Sequence, residues 1–235
     1  MYSKLIMDKT DSMIDFSKYP LPKRFRHHTA AHLYVPLSQM KNKPDYYPPV
    51  FEKLDWKQVF LNGRQPDLID IGCGKGAFLL ESALQKPDKN ILGIELRKQP
   101  VDWIAGVIQG EKFQNCAVVW YNITNGLGFV ESNSIEKIFY LFPDPWPKRK
   151  HYKRRAFNSD SIIEYARVLK KGCELYLATD LEEIHNYHLK ILNSCGLFNY
   201  SIINNDDEWN LPVTNKEKFC RANNIKFLRI KCEKF

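Results

Sequence analysis

The sequence contains no C-x-x-C pair, no uninterrupted apolar stretch near the roughly 20 residues that a membrane-spanning helix needs, and no internal repeat or low-complexity tract. Its six cysteines, at positions 73, 116, 173, 195, 220 and 232, are scattered through apolar segments. That pattern argues against a zinc cluster or a disulfide framework and for reduced thiols, with no metal expected. The first residues, MYSKLIMDKTDSMIDF, carry charges where a signal peptide needs an unbroken apolar core, so the expected compartment is the cytoplasm and no membrane partner is expected. What is present suits an ordinary globular protein: 235 residues, 44% hydrophobic and 26% charged, enough to bury one sizeable core. Lysine and arginine outnumber aspartate and glutamate by 35 to 27, a net charge of +8. Such a surplus points to a polyanionic partner only where it is concentrated in the chain.

Two parts differ in texture. Residues 1–65 hold Pro20, Pro22, Pro36, Pro44, Pro48 and Pro49 with little periodicity, and read as an N-terminal arm containing a basic stretch from Lys23 to His28. Residues 66–235 read as the main domain, where short apolar runs alternate with helical segments. Leu68 to Ile71, Ile91 to Leu96, Ala117 to Tyr121, Ile135 to Phe142 and Glu174 to Ala178 have strand character. Segment 75–86 puts Leu79, Leu80, Ala83 and Leu84 on one helical face, and 158–170 does the same with Ile162, Ile163, Ala166 and Leu169. Strand and helix in alternation imply a parallel sheet covered on both faces, a doubly wound α/β fold. After Gly196 the tail reads as strand at Phe198 to Ile203 and Lys226 to Lys231.

The first strand runs into Asp70-Ile-Gly72-Cys-Gly74-Lys-Gly76, a glycine loop that lets the backbone approach a ligand beyond the carboxyl end of the sheet. The second strand ends at Glu95, about 20 residues on, where a carboxylate can accept the hydroxyls of a ribose. Dinucleotide enzymes use the same layout, but their fingerprint places the third glycine one residue later. Asp70 just before the loop would repel a pyrophosphate, whereas it could pair with the cationic amino-acid end of S-adenosylmethionine. At the end of the third strand, Asn122 could bond an adenine amino group or could simply form a turn.

Strand four runs into Pro143-Asp144-Pro145-Trp146-Pro147, three prolines that fix a rigid loop at the ligand-binding edge of the sheet. Directly after it, Lys148-Arg-Lys150-His151-Tyr-Lys153-Arg154-Arg155 places six cationic side chains in eight positions. Such a run is costly unless an anion neutralises it, and a phosphate backbone is the natural partner.

Together, Asp70 to Gly76, Gly93-Ile-Glu95, Phe142-Pro-Asp-Pro-Trp-Pro-Lys148 with His151 to Arg155, and Thr179-Asp180 resemble the tRNA (guanine-N7)-methyltransferase family over roughly residues 20 to 220. The F-P-D-P-W-P-K segment is the specific part. The resemblance implies a Rossmann-like class I methyltransferase fold, a mainly parallel seven-stranded sheet whose last strand is antiparallel. It also implies S-adenosylmethionine as cofactor, tRNA as partner, and methylation of guanosine-46 in the variable loop. Carried over, Asp70, Gly72, Gly74, Gly76, Glu95, Asn122 and Asp144 would line the cofactor site, with Asp144 also the catalytic acid group. Lys148 and Asp180 would contact substrate, and Thr214 to Glu217 resembles a late T-x-x-E that reaches the base. Lys150, His151, Lys153, Arg154 and Arg155 would complete the tRNA contact. The chain would act as a monomer or homodimer, and nothing in it calls for an accessory subunit.

Guanine N7 carries an in-plane lone pair, so attack on an activated methyl needs alignment and exclusion of water rather than deprotonation. A carboxylate accepting from guanine N1-H and the exocyclic amine would stabilise the charge that develops, and Asp144, Asp180 and Glu217 are the candidates. His185 and His188, three apart on a helix without acidic or cysteine partners, are expected at the surface. Other readings are a methyltransferase for another nucleobase or an amine, and a non-catalytic RNA-binding protein with a residual cofactor pocket. A nicotinamide dehydrogenase is disfavoured by the glycine spacing.

Overall fold

The computed structural model describes residues 14–22 and 30–235. The basic stretch from Lys23 to His28 therefore lies outside the described residues. Seven strands form one sheet: β1 (Leu68–Ile71), β2 (Ile91–Glu95), β3 (Cys116–Trp120), β4 (Ile135–Leu141), β5 (Leu169–Thr179), β6 (Phe198–Ile203) and β7 (Leu228–Lys234). Their order is β3-β2-β1-β4-β5-β7-β6. The first five are mutually parallel, and β7 runs antiparallel to both β5 and β6, as the resemblance implied. The helices are α1 (Trp56–Val59), α2 (Ala77–Gln85), α3 (Lys98–Gly110), α4 (Ser159–Val168), α5 (Glu182–Cys195), α6 (Asp206–Trp209) and α7 (Asn215–Ala222).

Period-two alternation in the strands separates two cores. Leu68, Ile91, Phe139 and Tyr176 face one side, where Leu79, Leu80 and Ala83 of α2 and Ile104 and Val107 of α3 cover them. Ile69, Leu92, Ile138, Leu175 and Leu177 face the other, under Ile162, Tyr165 and Ala166 of α4 and Leu192 of α5. The helices change sides because the chain reverses direction after β3. It crosses from the sheet's edge to β4 beside β1, opening a crevice at the carboxyl ends of β1 and β4.

Strand β5 is longer than its apolar run suggests. It begins at Leu169, directly after α4, and pairs Ile135 with Leu169 before a register shift. Its first half is half-exposed and polar, and Lys170 to Cys173, which fall in the register shift, lack the apolar signature of a strand. The arm contributes to both cores: Phe60 is buried against the α4 face with Phe51 and Trp56, and Ile14, Phe16 and Tyr19 pack with α3 on the other.

His185 and His188 correct the expectation of a surface position. Both are buried on the sheet-facing side of α5, with His188 only 2% exposed among Tyr140, Phe157 and Tyr187. Desolvation pushes the His188 imidazole down to about 3, so it packs as a neutral aromatic ring.

Candidate active site

The glycine loop hangs from β2, where Gly72 N and Cys73 N both donate to Ile94 O. Gly72 is left-handed, at φ 75°, and the direction its Cβ would take is open space. Gly76, also at φ 75°, starts α2, and a Cβ there would sit 2.8 Å from Ile104 of α3. The third glycine thus packs helix on helix, while the first keeps the cleft open. At the base of the cleft, Asp70 is buried, and its Oδ2 has no hydrogen-bond partner among the described residues. Burial and the nearby Glu95 charge push its carboxyl up to about 8. An orphaned buried acid in a ligand cleft is a socket for a cation.

Glu95 ends β2 with one oxygen accepting from Gly74 N at 2.9 Å and the other from Arg97 N and Nε, each at 2.9 Å. Arg97 was not among the expected site residues. Its side chain is largely buried, lines the cleft with Glu95, and stands two residues beyond the acid, outside the glycine fingerprint.

Asn122 requires a correction. Its Nδ2 donates to Leu33 O, Val35 O and the Tyr47 hydroxyl at 2.8 to 2.9 Å, and its Oδ1 accepts from Thr124 N and Oγ1. With donors and acceptor engaged inside the protein, the amide caps a 3-10 turn and ties the arm to β3, leaving none of it for an adenine.

The Phe142 to Trp146 loop is strained at both ends, with Phe142 at φ 52° and Trp146 at φ 41°, left-handed values that bulky side chains avoid. Arg155 holds it. Its guanidinium donates to Pro145 O at 3.1 Å, Trp146 O at 3.2 Å and Glu183 Oε1 at 2.9 Å, between the rings of Tyr152 and Tyr187. Only 4% of the side chain is exposed, so Arg155 braces the loop instead of contacting tRNA as expected. Replacing it with alanine strips two carbonyls of their donor and should cost about 2–4 kcal/mol. Thermal denaturation should show the loss and Arg155→Lys should recover only part of it; an unchanged melting temperature would remove the brace.

Asp144, in the middle of this loop, is half-buried and accepts from the Tyr34 hydroxyl at 2.7 Å. Beyond it, residues Arg149–Arg154 wind into a 3-10 helix that leaves Lys148, Lys150 and Lys153 exposed. His151 meets the edge of Trp146, and the Arg154 guanidinium lies 4.8 Å from the centre of the indole, so these two pack back on the loop. Asp180 follows β5 and pairs with Lys216 at 2.7 Å, both at the same cleft.

Glu217 is the remaining correction. It is 3% exposed and accepts from Arg221 and Arg229 at 2.6 Å, while those arginines also bind Asp206. The T-x-x-E pattern here is a helix start: Thr214 Oγ1 caps α7 through Glu217 N at 3.0 Å, and the glutamate locks α7 to β7 and α6. Thr214 itself still lines the cleft.

Asp70, Glu95, Asp144 and Asp180 thus share one cleft of about 1170 Å3, which the glycine loop and the Pro143 to Trp146 loop both line. Among the described residues, no group of three or more histidines, cysteines and acids could hold a metal ion, and no helix is long and apolar enough to cross a membrane.

Residues 64–230 match the family model described as putative methyltransferase. A protein of Drosophila willistoni named tRNA (guanine-N(7)-)-methyltransferase is 31% identical over 203 residues, 80% of each chain. One of the same name from Lactobacillus gasseri is 31% identical over 150 residues, 63% of this chain and 69% of its own. Among solved structures, the 16S rRNA methyltransferase KamB superposes with a TM-score of 0.56 at 12% identity, over 80% of this chain and 97% of that one. The aminoglycoside resistance methyltransferase NpmB1 gives 0.54 at 14% identity, over 73% and 88%. At those identities the structures show the fold, and the sequence matches carry the kinship. On the family match and the relatives that span four fifths of it, the chain belongs to the tRNA (guanine-N7)-methyltransferase family.

Proposed function

We propose that this protein is a cytoplasmic enzyme that transfers the methyl of S-adenosylmethionine to N7 of guanosine-46 in the variable loop of tRNA. The observation that carries the reading is that Asp144 lines the same cleft as Asp70 and Glu95 and is followed, four residues on, by the first of three exposed lysines. On this reading the cofactor end and the carboxylate for the base share one cleft, and the exposed lysines that follow Asp144 in the chain would bind the tRNA backbone.

The cleft fits the cofactor on its own features. Asp70 Oδ2 is a buried acceptor in want of a cation, which an α-ammonium supplies, and the open side of Gly72 admits a ligand against the backbone. Glu95 would take the ribose hydroxyls beside Arg97. When bound, the sulfonium provides a methyl electrophilic enough for a neutral purine nitrogen. The remaining work belongs to the chain. Asp180 and Lys216 would orient the base, the walls would exclude water, and Asp144 would accept from guanine N1-H and the exocyclic amine as the ring becomes positive. Adenine has no N1-H donor to offer, so the same contact selects guanine.

Cofactor binding should be linked to a proton. Asp70, with its carboxyl at about 8 in the free protein, must ionise to pair with an ammonium, so binding at pH 7 expels a proton. Affinity should rise from pH 6 toward pH 8, then fall as the donor's own α-amino group, usually near about 7.7–8.0, loses its charge. Calorimetry of S-adenosylhomocysteine binding in two buffers of different ionisation heat reads the release directly, and an absence of release at pH 7 would contradict the pairing. The position of methylation is tested with tRNA transcripts in which guanosine-46 is replaced by adenosine. Labelled methyl should enter the parent transcript and not the substituted one, and equal incorporation would overturn the assignment.

A further inference from the structure

We infer that Tyr34, on the arm that precedes the sheet, is a positioning residue for methyl transfer and acts by holding the Asp144 carboxylate; the inference rests on the role proposed above for Asp144. The Tyr34 hydroxyl donates to Asp144 Oδ2 at 2.7 Å across 110 residues of sequence. The ring also meets the Trp146 indole edge-on, with centroids 4.7 Å apart. One side chain therefore fixes both the carboxylate and the aromatic wall of the loop. Arg155 holds the backbone of that loop through the carbonyls of Pro145 and Trp146, which is a separate function from aiming the acid.

Tyr34 is itself aimed. The carbonyls on either side of it, Leu33 O and Val35 O, both accept from Asn122 Nδ2, and Val35 O also accepts from the buried Tyr47 hydroxyl. Asn122 sits just beyond β3, so the phenol is anchored to the same sheet edge that carries the cleft. Burial and the charge of Asp144 hold the phenol above its ordinary range, so it stays a donor at any working pH. An acceptor whose orientation is set beforehand need not reorganise as positive charge grows on the base.

The test uses the full chain and three readouts: the single-turnover methylation rate at saturating cofactor and tRNA, the dissociation constants for S-adenosylhomocysteine and tRNA, and the melting temperature. Tyr34→Phe keeps the ring against Trp146 and removes the hydroxyl. It should slow the single-turnover rate by about tenfold or more, with both dissociation constants within about twofold of the parent. Asp144→Ala, run alongside, separates the failures. If Asp144→Ala is inactive and Tyr34→Phe turns over within twofold of the parent, the positioning role is wrong while the role of Asp144 stands. A loss in Tyr34→Phe matched by weaker binding of both ligands or a large drop in melting temperature would make Tyr34 a structural residue only. Near-parental turnover by Asp144→Ala would overturn both.

Discussion

Asp144→Ala is expected to lower the single-turnover rate of methyl transfer by at least about a hundredfold while cofactor and tRNA remain bound, the scale seen when one preorganised charge-stabilising group is removed. The reasoning is positional. Asp144 stands on a loop with strained backbone at Phe142 and Trp146, fixed from below by Arg155 and from the arm by Tyr34. An acid held in so costly a setting suits the proposed role of stabilising positive charge on the base, and phosphate binding has no use for a carboxylate. Asp144→Asn keeps an acceptor for Tyr34 but removes the charge, so it should fall between parent and alanine variant. Rates near the parent in both variants, on protein of verified fold, would take Asp144 out of the chemistry.

The second large effect concerns tRNA affinity. Lys148, Arg149, Lys150 and Lys153 are the exposed members of the basic run, three of them lysines, whereas Arg154 packs on Trp146 and Arg155 is buried. Replacing the three lysines together with glutamine should flatten the dependence of log affinity on log salt by up to about three units. At physiological salt this corresponds to a loss of about a hundredfold or more. Cofactor affinity should not change. A triple variant with the parental salt slope would make the run a solvated loop, and Lys23, Arg24 and Arg26 of the arm would be the next residues to neutralise.

How much of this was legible in the sequence follows from how local each feature is. The glycine loop, Asp70 and Glu95 stand at strand ends with fixed spacing, and the proline-rich loop after β4 announces itself in five residues. Strands β1 and β6 coincide with their apolar runs for the same reason. The errors share a different cause. Asn122, Arg155 and Glu217 are polar residues beside the cleft, and their partners are carbonyls of residues 33 and 35, an acid on α5 and arginines on α7 and β7. No spacing rule encodes a partner that arrives from 87 or 89 residues away. Each of these side chains is bonded within the fold, so a residue type suited to binding a ligand serves here to hold the chain. Tyr34 shows the converse, since a tyrosine in an irregular, proline-rich arm carries no local mark of the contact it makes with Asp144.

The central claim is tested most directly by nucleoside analysis of tRNA lacking its modifications, after incubation with the purified protein and methyl-labelled S-adenosylmethionine. The label should appear as 7-methylguanosine, at one site per susceptible tRNA, and should vanish with Asp144→Ala. Label recovered in a methylated adenosine, in a guanosine methylated at another atom, or in no nucleoside at all would contradict it.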